Sequence, residues 1–202
     1  MSVTIAGPDG HHRCRWCAAA PEFLAYHDTE WGFPVDDDHR LFEKLCLEGF
    51  QSGLSWRTIL AKRENFRAAF HTFDFDRIAD FTDADVDRLL SDAGLVRHRG
   101  KIEAVINNAK RAQELVRQEG LLAAYVWRFE PTPDELAAPQ TASTSAASLA
   151  LSKDLKKRGW AFVGPTTVYA FMQAMGLIND HVEGCIIREQ AANARTPFMR
   201  TA

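Results

Sequence analysis

Phe162-Val163-Gly164-Pro165-Thr166-Thr167-Val168-Tyr169-Ala170-Phe171-Met172-Gln173-Ala174 joins two helical patterns through a short turn. A basic helical segment, Leu149–Arg158, comes before it, and an apolar helix begins inside it at Thr166 and runs to Met175. Gly164 permits a backbone turn that other residues resist. Pro165 and Thr166 suit the first positions of a helix. A helix start exposes N–H groups that can hold a phosphate, and Lys156, Lys157 and Arg158 stand just upstream to add charge. A Gly-Pro turn between helices is also a common structural device, so the turn alone leaves both readings open.

Helical spacing continues outward from this turn. Asp38 is a plausible N-cap for a helix carrying Leu41, Phe42, Leu45, Cys46 and Leu47, and Ser55 for the next, through Ile59, Leu60, Phe66 and Phe70. Thr82 and Asp85 form a capping-box pattern that opens a helix ending near Gly94. A long amphipathic helix over 99–118 carries Ile102, Val105, Ile106, Ala109, Ala112 and Leu115 at helical spacing. No alternating strand pattern has convincing length. The expected fold class is therefore all-α. Residues 1–12 are expected as a flexible tail, and 13–188 as one domain or two small lobes. The Pro-, Ala-, Ser- and Thr-rich stretch 130–148 is expected as a loop, and 189–202 as a C-terminal tail.

The chain of 202 residues is 46% hydrophobic and 25% charged, ordinary for a globular protein. No apolar stretch approaches the ~18 residues of a membrane span, and the N-terminus lacks a signal pattern. Four cysteines without an export signal are expected as reduced thiols or metal ligands. The net charge of −3 argues against a nonspecific nucleic-acid coat. Basic residues nevertheless cluster at Arg97, Arg99 and Lys101 and again at Lys153, Lys156, Lys157 and Arg158, while acid gathers at 36–38 and 83–92. That pattern fits one basic face, or simply solvated helix faces.

His181 and Cys185, four residues apart, share one face of a helical turn, so an imidazole and a thiolate can reach one ion. A closed tetrahedral zinc site needs two more ligands, and Cys14, Cys17 and His27 are the candidates. Such a site would tie the two ends of the chain together and leave no open position for substrate. Glu48 falls at helical spacing from Leu41 and Leu45, partly withdrawn from water. Read alone, it is a helix-end salt bridge before it is a site.

Ordered blocks carry a stronger signal than any of these motifs. They are Arg13-Cys14-x-Trp16; Ala25-Tyr26-His27-Asp28-x-Glu30-Trp31-Gly32; Leu41-Phe42-Glu43; Cys46-Leu47-Glu48-Gly49; Gly53-Leu54-Ser55-Trp56; and Lys62-Arg63-Glu64-Asn65. The later blocks are Asp92-Ala93-Gly94; Arg97-His98-Arg99-Gly100-Lys101-Ile102; Leu151-Ser152-Lys153; Leu155-Lys156-Lys157-Arg158-Gly159; Phe162-Val163-Gly164; and Gly176-Leu177-x-Asn179-Asp180-His181-Val182-x-Gly184-Cys185. Together, over about residues 13–185, they resemble the 3-methyladenine DNA glycosylase I family of helix-hairpin-helix DNA glycosylases. In the hairpin itself, Thr166 stands where that superfamily usually has a second glycine.

The resemblance implies a helix-hairpin-helix bundle with one structural zinc held by Cys14, His27, His181 and Cys185. It implies a base pocket of Tyr26, Glu48 and Trp56. Glu48 would accept the base's amino group and is the candidate catalytic group, Tyr26 would add a hydrogen bond, and Trp56 would stack on the extruded base. Leu54 would be the wedge that fills the gap in the duplex, with Gly164, Thr166 and Lys156 on the DNA backbone. It implies base-excision repair: release of 3-methyladenine from double-stranded DNA by a monomeric, cytoplasmic enzyme used at the bacterial nucleoid. Val168 stands where bifunctional relatives carry a nucleophilic lysine, so lyase activity is not expected. Asp180, the nearest candidate for the superfamily's aspartate, falls early and abuts His181. Phe23 and Phe50 stand where tyrosine and glutamine can occur, which makes the pocket region more apolar.

Overall fold

The computed structural model describes residues 3–196 and 198. A short antiparallel ribbon pairs β1 (Thr4–Ala6) with β2 (His12–Cys14), Thr4 opposite Cys14. Then follow α1 (Pro21–Thr29), α2 (Asp38–Gln51), α3 (Trp56–Ala61), α4 (Arg63–Ala69), α5 (Phe75–Ile78) and α6 (Asp83–Ser91). The second half holds α7 (Arg99–Glu119), α8 (Leu122–Trp127), α9 (Ala146–Lys157), α10 (Pro165–Ala174) and α11 (Ile186–Arg195). The chain is all-α apart from the ribbon, among the described residues.

α2 is the central element. Residues 41–50 are all buried, and the helix packs against α3, α7, α8 and α10. A helix buried on every side must pair any charge it carries, and α2 carries Glu43, Lys44 and Glu48. Glu43 accepts from Arg63 Nε at 2.6 Å and Arg67 Nε at 2.9 Å, and Arg63 also reaches Glu30 at 2.6 Å. This network fastens α4 to α2 and to the end of α1. The remaining pair, Lys44 and Glu48, faces α1 and α3.

Several boundaries differ from the sequence reading. Residues 4–12, expected as a tail, form the ribbon: Arg13 grips Asp9 at 2.7 Å and Asp28 at 2.9 Å, holding the turn against α1. The N-cap of α2 is Asp37, whose side chain accepts from Arg40 N. Its neighbour Asp38 instead caps α8 across the fold, accepting from Leu122 N at 3.0 Å and Ala123 N at 2.8 Å. The helix expected from Ser55 to Phe70 breaks at Lys62 into α3 and α4. α11 occupies residues expected as a tail; residues 1, 2, 197 and 199–202 of the expected tails lie outside the described residues. The 130–148 stretch is largely irregular, with a 3-10 turn at Pro133–Glu135. It is anchored where the buried Asp180 accepts from Gln140 N at 3.0 Å and Gln173 Nε2 at 2.5 Å.

Candidate active site and metal centre

α1 presents adjacent residues to two centres. His27 points to one side, where Cys14 from β2, His181 and Cys185 meet it. All four are buried, with their ligand atoms within 4.8 Å of one another. His181 Nδ1 lies 3.2 Å from His27 Nε2, 3.7 Å from Cys14 Sγ and 3.7 Å from Cys185 Sγ; Cys185 Sγ lies 3.6 Å from His27 Nε2. An ion held tetrahedrally by two nitrogens and two sulfurs spaces its ligands ~3.3–3.8 Å apart, so the set fits such an ion. The outward ring nitrogens fix which face points in. His27 Nδ1 donates to Asp28 Oδ1 at 2.7 Å, and Asp28 is held in turn by Arg13; His181 Nε2 donates to Trp31 O at 2.8 Å. Such outer partners orient metal-ligating histidines. Gly32, with a φ of +87°, lets the chain pass where a Cβ would lie 3.0 Å from the His181 ring. Of the two rival thiols, Cys14 joins the cluster, and Cys17 is buried outside it.

Tyr26 points the other way, towards Lys44, Glu48 and Trp56. The Lys44 ammonium donates to Tyr26 Oη at 2.5 Å and lies 3.2 Å from Glu48 Oε1. It sits 3.5 Å from the centroid of the Trp56 ring and 4.6 Å from that of Tyr26, and the two rings are 5.4 Å apart. The result is a buried seat with aromatic walls, one carboxylate and a cation on the indole face. Burial pushes the Glu48 carboxyl up, and Lys44 pulls it back. Burial pushes Lys44 down, to about 8. Trp56 Nε1 is buried without a hydrogen-bond partner among the described residues. Trp16 bridges the two centres, 5.3 Å from His27 and 6.3 Å from Tyr26 by ring centroid.

Tyr26, Glu48 and Trp56, which the resemblance implies as one pocket, meet around Lys44. Lys44 was missed: its i, i+4 spacing to Glu48 reads equally as an exposed helix pair, and only the fold shows that both are buried. Phe23 packs edge-on against Trp16 near the seat, 5.8 Å away. Phe50 does not bear on the seat, because it lies on the opposite face of α2, 4.6 Å from Phe66.

The candidate DNA contacts lie on neighbouring segments. Leu54 is 42% exposed on the α2–α3 loop. Lys101, at the start of α7, donates to Phe50 O at 2.8 Å and Ser52 O at 2.6 Å and so fixes that loop from below. The hairpin between α9 and α10 is clamped by α7: Asn108 Oδ1 accepts from Ala161 N at 2.8 Å, Asn108 Nδ2 donates to Ala161 O at 2.9 Å, and Asn107 donates to Gly159 O at 2.9 Å. Phe162 packs onto Gly49, one residue past Glu48. Gly164 N-caps α10 with a φ of −62°, open to any residue, and the unusual turn conformation falls on Phe162 at +56°. This corrects the turn role read for Gly164. Thr166 and Lys156 are exposed beside it. Arg158 is spent on Asp154 and Glu119, and Arg99 on Asp87 and Glu103. The basic clusters are therefore only partly available to a ligand.

Comparison with known proteins agrees across sequence and structure. A family model for methyladenine glycosylase matches residues 16–189. DNA-3-methyladenine glycosylase 1 of Escherichia coli strain K12 is 50% identical over 177 residues, covering 86% of this chain and 95% of that protein. A crystal structure of 3-methyladenine DNA glycosylase I is similar at a TM-score of 0.81 and 48% identity, covering 86% of this chain and 98% of that one. A variant of 3-methyladenine DNA glycosylase I in complex with 3-methyladenine is similar at a TM-score of 0.82 and 34% identity, covering 87% and 97%.

Proposed function

The chain belongs to the methyladenine glycosylase family, and from that membership we propose that it excises 3-methyladenine from double-stranded DNA as the first step of base-excision repair. One observation carries this reading: the Tyr26–Glu48–Trp56 seat holds a cation against an indole face within the fold. Methylation at N3 makes a nucleotide's adenine cationic and weakens its glycosidic bond, so the leaving group needs little acid assistance. The enzyme's task is to hold the extruded cation and refuse neutral adenine. Trp56 supplies the stacking face. Glu48, buried in the same seat, supplies complementary charge and an acceptor for the exocyclic amino group.

The duplex side of the reading rests on Leu54, Thr166, Gly164 and Lys156. Leu54, exposed on a loop anchored by Lys101, is the wedge that enters the space the base leaves. The start of α10 at Gly164 and Thr166, with Lys156 beside it, receives backbone phosphate. The reaction is hydrolytic and ends at the abasic site. A lyase step needs an amine nucleophile, and Val168, where bifunctional relatives place a lysine, is fully buried. Cys14, His27, His181 and Cys185 hold one structural zinc, which when bound crosslinks β2, α1 and the segment entering α11. The enzyme works as a monomer in the cytoplasm, at the nucleoid, and no helix among the described residues is long and apolar enough to cross a membrane.

The test is release of free bases from methylated duplex DNA by the purified protein, resolved by chromatography. Release of 3-methyladenine without 7-methylguanine is the expected result. Zinc-loaded protein that binds DNA and releases no base overturns the enzymatic reading.

A further inference from the structure

The base seat already has a positive occupant. Lys44 is 1% exposed, and its ammonium lies 3.5 Å from the centre of the Trp56 ring, the distance at which a stacked base would lie. Its partner Glu48 Oε1, at 3.2 Å, is the acceptor assigned to the base. Tyr26 Oη, at 2.5 Å, is the pocket's other polar group. An ammonium and a purine cannot use one indole face and one carboxylate together. We propose that Lys44 is a specificity-determining residue: a cationic base takes the seat by replacing the ammonium's charge, Lys44 releasing one proton to solvent as the base enters, while a neutral base cannot make the exchange.

The inference rests on the reading of Glu48 and Trp56 as the base pocket. The charges facing Lys44 come from each surrounding element. Glu48 stands on its own helix, Tyr26 on α1 with Glu30 just past its end, the Trp56 ring on α3 and Arg63 on α4. Arg63 is neutralised by Glu43 and Glu30, which leaves Lys44 and Glu48 as the inner pair. Burial and Arg63 act to discharge Lys44 while Glu48 and Glu30 act to keep it charged, the balance falling at about 8. Giving up the proton near neutrality is therefore a small step. The exchange balances: Lys44–NH3+ becomes Lys44–NH2, the proton passes to water, and the incoming cation restores the positive charge beside Glu48. Neutral adenine restores nothing. Its entry would leave the buried carboxylate without a counter-charge, which proteins strongly disfavour. The seat's occupant thus enforces the distinction between a methylated base and a normal one.

The experiment measures binding of 3,9-dimethyladeninium, whose charge is fixed by its two ring methyl groups, between pH 6 and 9 by calorimetry. With one proton released, affinity of the wild type rises about tenfold per pH unit up to about pH 8 and then levels. Lys44→Met, which has no charge to displace, binds with no such slope and at least as tightly as the wild type at pH 9. Lys44→Arg, whose charge is permanent, binds weakly throughout. A merely structural lysine predicts the opposite pairing, with Lys44→Met impaired and Lys44→Arg tolerated. A flat wild-type profile, absence of proton release to the buffer, or a slope retained in Lys44→Met overturns the inference. The wild-type profile decides the matter even if a variant fails to fold. Wild-type release of 3-methyladenine from methylated DNA alongside a flat profile sinks the charge exchange alone; no release sinks both.

Discussion

Replacing Glu48 with Gln keeps the side chain's shape and removes its charge. The amide oxygen can still accept from Lys44, and Lys44, already pushed down to about 8 by burial, can shed its proton when the opposing charge is gone, so the fold need not change. The rate does, because the seat loses the group that complements a cationic base. Single-turnover excision of 3-methyladenine by Glu48→Gln should fall by about 100-fold, with duplex affinity within about twofold of the wild type. An unchanged rate would remove Glu48 from both base binding and catalysis. Residues of this kind were legible in different degrees. Cysteine and histidine form few kinds of constellation, so the metal candidates could be found before any fold was known, with Cys14 and Cys17 still rivals; the helical face read for His181 and Cys185 is not there, since they meet across the turn that precedes α11, where Gly184 takes a positive φ. Lys44 could not. A lysine in an amphipathic helix reads as solvated, and its burial depends on Tyr26 and Trp56, which only tertiary structure brings to it. Phe50 shows the converse error: the resemblance put it in the pocket region, while the turn of α2 sends it into the α4 core.

At the scale of elements, α7 connects the two segments proposed to meet the duplex. Its first turn holds the Leu54 loop through Lys101, and its middle holds the hairpin through Asn107 and Asn108. Lys101→Met should free the loop carbonyls and let the wedge drift. Excision from duplex should then fall by about tenfold, since small misplacements at a site are costly, while affinity for 3,9-dimethyladeninium stays as in the wild type. An equal loss in both measurements would place the defect in the pocket and exclude a role for the loop. α7 was legible nearly to its ends, expected over 99–118 and found over Arg99–Glu119, because its apolar stripe is long and regular. The capping box at Thr82 and Asp85 was legible because both partners are local. The ribbon was not, since strands of three residues show no alternation to read. α11 was missed because Ile187 and Ala191 are its only residues buried, too thin a stripe among charged and small residues.

For the whole molecule, the cluster of Cys14, His27, His181 and Cys185 fastens residues at opposite ends of the chain. Purified protein should carry about one zinc per chain by emission spectrometry, and Cys17→Ser should retain it. Stripping the metal should cost several kcal/mol of folding stability and lower the Tm by ~10 °C, with base release lost in parallel. Metal-free protein of unchanged Tm and activity would show the cluster to be ordinary core packing. The same closure has a bearing on biosynthesis. His27 meets early partners, Cys14 and Asp28, and late ones, His181 and Cys185, which stand 154 and 158 residues further along the chain, and Tyr26 is its neighbour on α1. A chain still on the ribosome can have made α2, α7 and the hairpin yet lack Cys185, so the cluster beside Tyr26 is still incomplete when Lys44 on α2 can already hold Tyr26. In the proposed function, damage recognition thereby waits on Cys185, and a chain that stops short of it holds the hairpin without the closed cluster beside the seat.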